Sequence, residues 1–222
     1  MMVKAVLFDL DNTLIDFMKM KKISCEAAIS AMIDGGLPMK KNIAYKKLFE
    51  LYGVHGIEHQ EIFQKFLQKE TGKVDYRILS KGIAAYRKVQ AGFLEPYPNV
   101  RKTLLRLREK GLKLGIVSDA PKLKGWLRLA EMNLTDFFDV VVALDDTGQL
   151  KPNKLPFQAA INELKLSPAE ILFVGDNPGR DIKGAANLGM KTALAKYGQV
   201  FPSEGIKPDY VLNDIQEILA IV

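Results

Sequence analysis

The stretch VKAVLFDLDNTL, residues 3–14, decides the fold of this chain. It begins as a short run of branched and aromatic residues, which predicts a strand buried on both faces of a parallel sheet. The run stops on Asp9 and Asp11, which period-two geometry would place on the same side of the strand end. Two close anions there need a cation, a shared proton or a charged substrate. The alternative is a solvated turn in which Asp11, Asn12 and Thr13 bond only to their own backbone.

Composition limits the class of protein. The 222 residues are 48% hydrophobic and 26% charged, which suits one large domain or one domain that carries an insertion. No apolar run is long enough to span a bilayer, and no signal-peptide pattern precedes the first strand. The single cysteine, Cys25, excludes an internal disulfide framework. We therefore expect a cytoplasmic protein without a membrane partner.

The net charge of +6 raises the question of a nucleic-acid partner. Basic residues gather at positions 19–22, 40–47 and 101–113. Because these segments read as amphipathic helices, we expect solvated lysine faces and no nucleic-acid surface. The excess positive charge would instead help to attract an anionic substrate.

Two patterns follow the first strand. Residues 18–92 read as helices only, and each predicted helix is followed by a glycine that would end it. These helices span residues 18–32, 43–52, 57–70 and 76–90, with stops at Gly35, Gly53, Gly72 and Gly92 and with Asp75 as an N-cap of the last.

From residue 97 onward, helices and strands alternate. Strands are predicted at 113–118, 139–143, 171–175, 191–195 and 210–212, and helices at 99–110, 122–132, 153–164, 180–188 and 214–221. Asn99 is the expected N-cap of the first of these helices, and Trp126 is expected in the core. The alternation predicts an α/β fold: a Rossmann-like, doubly wound parallel sheet from residues 1–16 and 93–222, with an all-helical cap domain, residues 17–92, inserted after the first strand.

Functional side chains stand at the carboxyl ends of four predicted strands, where open parallel sheets bind ligands. In chain order they are Asp9 with Asp11, Ser118, Lys151, and Asp176 with Asp181. Taken singly, Ser118 and Asp181 could cap helices, and Lys151 could be an exposed loop residue. Together they predict an oxygen-rich pocket for Mg²⁺, with one hydroxyl and one ammonium left for a phosphate.

These residues resemble the motif set of the haloacid dehalogenase superfamily over essentially the whole chain. DLDNT at residues 9–13 resembles the first motif and IVS at 116–118 the second. Lys151-Pro152 resembles the third, and Gly175-Asp176 with Asp181 the fourth. The helical insert also lies where that superfamily places a small helical cap. A narrower similarity, at residues 31–38 (AMIDGGLP), is to a group of archaeal phosphatases described as acting on glyceraldehyde 3-phosphate.

The resemblance implies a magnesium-dependent phosphatase that hydrolyses a small phosphorylated metabolite through an aspartyl-phosphate. Asp9 would be the nucleophile. Asp11 would be the general acid and then the base, which requires a raised pKa. Mg²⁺ would be held by the Asp9 side chain, the Asp11 carbonyl and Asp176.

The remaining motif residues would serve the phosphate and the metal. Ser118, Asp119 and Lys151 would bind the transferring phosphoryl group. Asp181 would orient a metal-bound water or Lys151 from behind the metal ligands. The cap would close over the substrate and read its leaving group.

Three alternatives stay open on the same core: a phosphomutase, a haloacid dehalogenase and a non-catalytic phosphate-binding protein. Asp11 argues against the dehalogenase, because a halide leaves without a proton whereas an alkoxide needs one. The presence of nucleophile, acid, lysine and metal ligand argues against a mere binding protein. The sequence specifies neither the substrate nor the oligomeric state.

Overall fold

The computed structural model describes residues 2–202 and 205–222. Contacts divide the chain into two compact units. The larger comprises Met1–Phe17 and Glu95–Val222, and the smaller Met18–Leu94. Within the described residues, every helix is too short or too polar to cross a membrane.

Four helices form the smaller unit: α1 (Phe17–Asp34), α2 (Lys41–His55), α3 (Ile62–Thr71) and α4 (Tyr76–Phe93). Only Phe17, the first residue of α1, belongs to the larger unit. Their inner faces bury Ile29, Met32, Leu48 and Phe66 in one core. Cys25 is a packing residue of this core, and burial raises the pKa of its thiol to about 11.

The ends of these helices differ from the prediction, most of all at α3, which begins at Ile62 and not at residue 57. α2 runs through Gly53 and ends beside Gly56, whose φ of 88° only glycine adopts easily. α4 likewise includes Gly92. The predicted N-cap of α4 is confirmed, because Asp75 accepts hydrogen bonds from the amides of Arg77 and Ile78.

One residue of the basic segment 19–22 is not solvated. Lys21 is 6% exposed, and its ammonium lies 4.5 Å from the ring centroid of Tyr52 and 5.2 Å from that of Tyr86. The aromatic faces offset part of the cost of burying this charge. The expectation of a solvated lysine face is therefore wrong at Lys21.

Six parallel strands form the sheet of the larger unit in the order β3-β2-β1-β4-β5-β6. They are β1 (Ala5–Phe8), β2 (Lys113–Val117), β3 (Val140–Val142), β4 (Ile171–Gly175), β5 (Lys191–Ala195) and β6 (Tyr210–Leu212). This order confirms the predicted Rossmann-like α/β fold. The direction of winding reverses between β1 and β4, so the crevice for ligands is expected beyond their carboxyl ends.

The larger unit contains five α-helices among its described residues: α5 (Val100–Glu109), α6 (Lys122–Glu131), α7 (Leu144–Thr147), α8 (Lys154–Leu164) and α9 (Lys183–Ala186). α8 packs Phe157 against Phe173 of β4 with ring centroids 5.1 Å apart. All four residues of β1 are fully buried, as the apolar run predicts.

Several local features of the larger unit differ from the prediction. The segment Pro178–Ile182 forms a π-helical turn where a helix from residue 180 was expected, and Ile215–Ala220 is a 3₁₀ helix. Asn99 occupies the predicted N-cap position of α5, but its side chain makes no capping hydrogen bond and its amide instead donates to Asp214 Oδ2 at 2.8 Å.

α6 presents an unusual set of residues to the interior. Its buried positions are Gly125, Arg128 and Leu129, whereas Leu123, Trp126 and Leu127 are 71%, 37% and 51% exposed. Trp126 is therefore not the core residue that the sequence suggests. Leu10, from the loop after β1, lies against Gly125.

Candidate active site

Asp9 is held at the centre of the sheet edge. Its amide donates to the Val174 carbonyl of β4 at 2.8 Å, which continues the parallel ladder one residue beyond β1. The side chain is almost fully buried. Oδ1 accepts a hydrogen bond from Lys151 Nζ at 2.6 Å and Oδ2 one from Thr13 Oγ1 at 3.3 Å. Both oxygens of this carboxylate are thereby fixed in direction.

Lys151 is 3% exposed, although it belongs to the loop between α7 and α8. Besides Asp9, its ammonium donates to the Val117 carbonyl at 2.8 Å and lies 2.9 Å from Asp181 Oδ1. Burial alone lowers the pKa of Lys151, but the carboxylates of Asp181 and Asp9 outweigh it and raise the pKa. The exposed-loop alternative for Lys151 is wrong, and the residue is a buried cation.

The loop after β4 places the other two aspartates. Asp181 is fully buried, and its Oδ2 accepts a hydrogen bond from the amide of Asn177 at 3.0 Å. A Cβ on Gly175 would lie only 2.5 Å from the Asp181 Cβ, so glycine is required for this close approach. Because α9 begins at Lys183, Asp181 does not act as its N-cap.

Three buried carboxylates converge here. Asp9, Asp176 and Asp181 can each place an oxygen within 4.8 Å of the others. Both Asp176 oxygens are buried and accept no hydrogen bond from the residues that the structure describes. Burial, together with Asp9 and Asp181, raises the pKa of Asp176. Unsatisfied carboxylate oxygens in such a cluster fit Mg²⁺, which prefers oxygen ligands. The Asp11 side chain is not part of this cluster.

Arg180 is a second cation beside the cluster, and the sequence reasoning missed it. Its Nη1 lies 3.2 Å from Asp119 Oδ2, and its Nη2 lies 3.7 Å from Asp176 Oδ1 and 3.9 Å from Asp181 Oδ2. The sequence feature that could have indicated Arg180 is its position on the short turn between Asp176 and Asp181, two predicted site residues.

Ser118 and Asp119 follow β2, the neighbour of β1. The Ser118 hydroxyl accepts a hydrogen bond from the amide of Ala120 at 3.1 Å. α6 begins only at Lys122, so Ser118 is not its N-cap. Asp119 Oδ1 accepts a hydrogen bond from the Lys151 amide at 2.8 Å. The Asp119 carboxylate therefore fixes the backbone that carries Lys151.

Asp11 has a different cation from Asp9. Its Oδ2 accepts a hydrogen bond from Arg128 Nη1 of α6 at 2.6 Å. Arg128 is 5% exposed, and its guanidinium lies 4.6 Å from the ring centroid of Phe17. Because β1 already ends at Phe8, strand alternation does not determine the direction of Asp11. Asp9 and Asp11, which the sequence predicts as neighbouring carboxylates, are thus paired with different cations, Lys151 and Arg128.

The loop that carries Asp11 also contacts the segment that follows β5. Tyr197, just after β5, donates a hydrogen bond from its hydroxyl to the Thr13 carbonyl at 2.8 Å. Gly198 approaches the Asn12 carbonyl so closely that a Cβ would lie 1.6 Å from its oxygen. These contacts hold the turn between β1 and α1 in one conformation.

A comparison with known families decides what these motifs belong to. The model of the family described as "Haloacid dehalogenase-like hydrolase" matches residues 6–195, from within β1 to the end of β5. This chain is a haloacid dehalogenase-like hydrolase.

Similar proteins agree with this family. The hydrolase is 33% identical to glyceraldehyde 3-phosphate phosphatase of Pyrococcus furiosus, over 99% of this chain and 93% of the relative. It is 34% identical to pyrophosphatase PpaX of Halalkalibacterium halodurans, over 100% and 98%. A crystal structure of an HAD phosphatase from Thermococcus onnurineus superposes with a TM-score of 0.73 at 26% identity, covering 99% and 97%.

Most of the predicted site residues of this hydrolase meet in one network. Hydrogen bonds and ion pairs join Asp9, Asp119, Lys151, Asp176 and Asp181. Ser118 follows the adjacent strand β2, and Asp11 takes part in a separate ion pair. The sequence had suggested this grouping through the strand ends. It did not indicate the two arginines: Arg180 lies between Asp176 and Asp181, and Arg128 lies outside the motifs.

Proposed function

We propose that this hydrolase is a magnesium-dependent phosphatase that acts on a small phosphate monoester through an aspartyl-phosphate on Asp9. The observation that carries the proposal is the Asp9 carboxylate, which is buried and oriented by Lys151 and Thr13 beside Asp176 and Asp181. The name of the Pyrococcus furiosus relative makes glyceraldehyde 3-phosphate the first substrate to assay.

Asp9 and Asp11 would divide the covalent chemistry. An Asp9 oxygen attacks phosphorus, and the bond from phosphorus to the alcohol oxygen breaks. Asp11 gives its proton to that alcohol oxygen as it leaves. A water molecule then attacks the phosphoryl group, Asp11 takes the proton of the water, and Asp9 is regenerated as phosphate departs.

The neighbouring residues would supply charge and position. When bound, Mg²⁺ would be held by Asp9, Asp176 and the Asp11 carbonyl, and it would neutralise charge on the transferring phosphoryl group. Lys151 is placed to balance the same charge, and the Ser118 hydroxyl to donate a hydrogen bond to a phosphoryl oxygen.

Two carboxylates would act through other residues. A carboxylate repels a phosphate, so the Asp119 side chain would contribute by positioning Lys151 and Arg180, which it contacts. Asp181 would hold the Lys151 ammonium, at 2.9 Å. Both are thus assigned to orienting cations.

The rest of the chain has proposed roles as well. We infer that the four-helix unit Met18–Leu94 is the cap domain, where determinants of substrate preference should be sought. Since the only cysteine is buried in that unit, we place the protein in the reducing cytoplasm. Pyrophosphate is a second candidate substrate, because the Halalkalibacterium relative is named a pyrophosphatase.

Phosphate release from a panel of substrates tests the proposal. Glyceraldehyde 3-phosphate, pyrophosphate, sugar phosphates and p-nitrophenyl phosphate are incubated with the protein in the presence of Mg²⁺ or EDTA. We expect release that requires Mg²⁺. Absence of release across the panel would contradict a phosphatase, and interconversion of sugar phosphates without release would indicate a mutase.

Replacement of the nucleophile gives the first prediction. Asp9→Asn should lower kcat by roughly three orders of magnitude or more, since an amide cannot form the aspartyl-phosphate. The exposed Asp136→Asn is the matched control and should keep full activity. Steady-state assays on the best substrate measure both. Full turnover by Asp9→Asn would assign the attack to another group.

A further inference from the structure

We propose that Arg128 is a positioning residue for Asp11 and thereby determines how well the enzyme hydrolyses esters with poor leaving groups. This inference rests on the proposed phosphatase function, in which Asp11 is the general acid. Arg128 lies on α6, outside all four motifs of the chain, and it does not contact substrate in this role.

The ion pair between Arg128 and Asp11 is short and largely buried. Arg128 Nη1 donates to Asp11 Oδ2 at 2.6 Å, and the side chains are 6% and 20% exposed. A guanidinium loses its hydration when it is buried, and this cost is recovered only through well-placed partners. A short hydrogen bond from the guanidinium to Oδ2 provides such a partner and fixes the direction of the carboxyl group, so that the proton Asp11 transfers is carried on Oδ1.

The arginine is itself held in place. Its guanidinium lies over the Phe17 ring, 4.6 Å from the centroid. It emerges from the inner face of α6, between the buried Gly125 and Leu129. A long side chain fixed at both its base and its head has few accessible rotamers, so it can fix the carboxylate that it binds.

Asp9 and Asp11 are oriented by different side chains. Lys151 and Thr13 fix the two oxygens of Asp9. The cation at Asp11 comes from a helix rather than from the strand ends, so the orientation of Asp11 follows the position of α6. A general acid must lie within hydrogen-bond reach of the leaving oxygen. Even a 1 Å displacement of a reacting group can cost about 100-fold in rate.

Two esters that differ in their need for a proton test the inference. An alkyl phosphate releases an alkoxide that must be protonated, whereas p-nitrophenyl phosphate releases a stable phenolate. The value of kcat/KM reports the first displacement, in which Asp11 acts as the acid. Arg128→Met should lower kcat/KM for the alkyl ester roughly 10- to 100-fold and for p-nitrophenyl phosphate less than about threefold.

A double-mutant cycle separates positioning from general damage. In an Asp11→Asn background, Arg128→Met should cause no further loss with the alkyl ester, because Arg128 acts only through Asp11. Arg128→Lys keeps the positive charge and should recover part of the rate that Arg128→Met loses. If Arg128→Met does not fold, Arg128→Lys is used in the cycle in its place. Arg108→Met is the matched control. It removes the ion pair between Arg108 and Asp139, whose charged atoms lie 2.8 Å apart. Asp139 directly precedes β3, at the amino ends of the strands and so away from the site.

The outcomes are distinct. Equal losses on the two esters, or a further loss in the Asp11→Asn background, would overturn the role of Arg128. If the unmodified protein hydrolyses neither ester, the phosphatase proposal itself fails. A selective loss with the alkyl ester, absent in Arg108→Met, supports the role of Arg128.

Discussion

At the scale of single residues, Lys151 illustrates how charges are stabilised inside this protein. Its ammonium is removed from water and is surrounded by Asp9, Asp181 and the Val117 carbonyl. Removing one partner from a buried ion pair leaves the other charge without compensation, which costs more than the pair itself contributes. Lys151 should therefore be needed for stability as well as for phosphate binding.

Lys151→Met should lower the free energy of unfolding of the metal-free protein by about 3 kcal/mol at neutral pH. The surface pair of Lys4 with Glu170 offers a matched control, since the Lys4 side chain is 54% exposed. Lys4→Met should cost less than about 1 kcal/mol. Urea denaturation of both variants measures the difference. Equal effects would show that the burial of Lys151 is energetically unimportant.

The carboxyl of Asp176 predicts a pH dependence of stability. Burial and the carboxylates of Asp9 and Asp181 raise the pKa of Asp176 from 3.8 to about 8. Between these values the folded protein binds more protons than the unfolded chain. This group therefore makes the free energy of unfolding rise as the pH is lowered from about 8 toward 4.

Urea denaturation at several pH values measures this contribution in the metal-free protein. The rise toward lower pH should be smaller in Asp176→Asn, which cannot titrate. It should also be smaller with Mg²⁺, because a cation favours the ionised carboxylate. Identical slopes for the two proteins without metal would contradict the assignment.

At the scale of elements, strands were easier to predict than helix ends. β4, β5 and β6 begin and end where their apolar runs do. Gly53 was misread as a helix stop, because glycine also occurs inside helices when its φ remains negative. The inner face of α6 was missed because Leu123, Trp126 and Leu127 have the same helical spacing as a buried face. Only the fold shows that Arg128 lies inside.

Gly53 inside α2 and Gly56 just after it test the corrected helix end. Gly53→Ala should raise the free energy of unfolding by about 0.5–1 kcal/mol, since Gly53 is inside the helix and a Cβ would meet nothing within 4 Å. Gly56→Ala should lower it by about 1 kcal/mol, because the φ of Gly56 is 88°. Thermal unfolding followed by circular dichroism measures the effect of both substitutions. If Gly53→Ala destabilised the protein, the helix end predicted at Gly53 would be correct after all.

At the scale of the whole molecule, strand order explains why distant residues meet. β1 pairs with both β2 and β4, so residues 9, 118 and 176 follow neighbouring strands although they are widely separated in sequence. This grouping could be predicted from the sequence, because parallel strands share one carboxyl edge. The pairing of each carboxylate with a particular cation could not, because it depends on the positions of α6 and of the turn after β4.

The exposed side of α6 has an optical consequence. Trp126 is the only tryptophan of the chain, and it belongs to the larger unit, so its fluorescence reports the unfolding of that unit. Far-ultraviolet circular dichroism also detects the four helices of the smaller unit. Because each unit has its own apolar core, we expect the two denaturation curves to have different midpoints. Coincident curves would show that both units unfold in one cooperative transition, which one native indole would then suffice to follow.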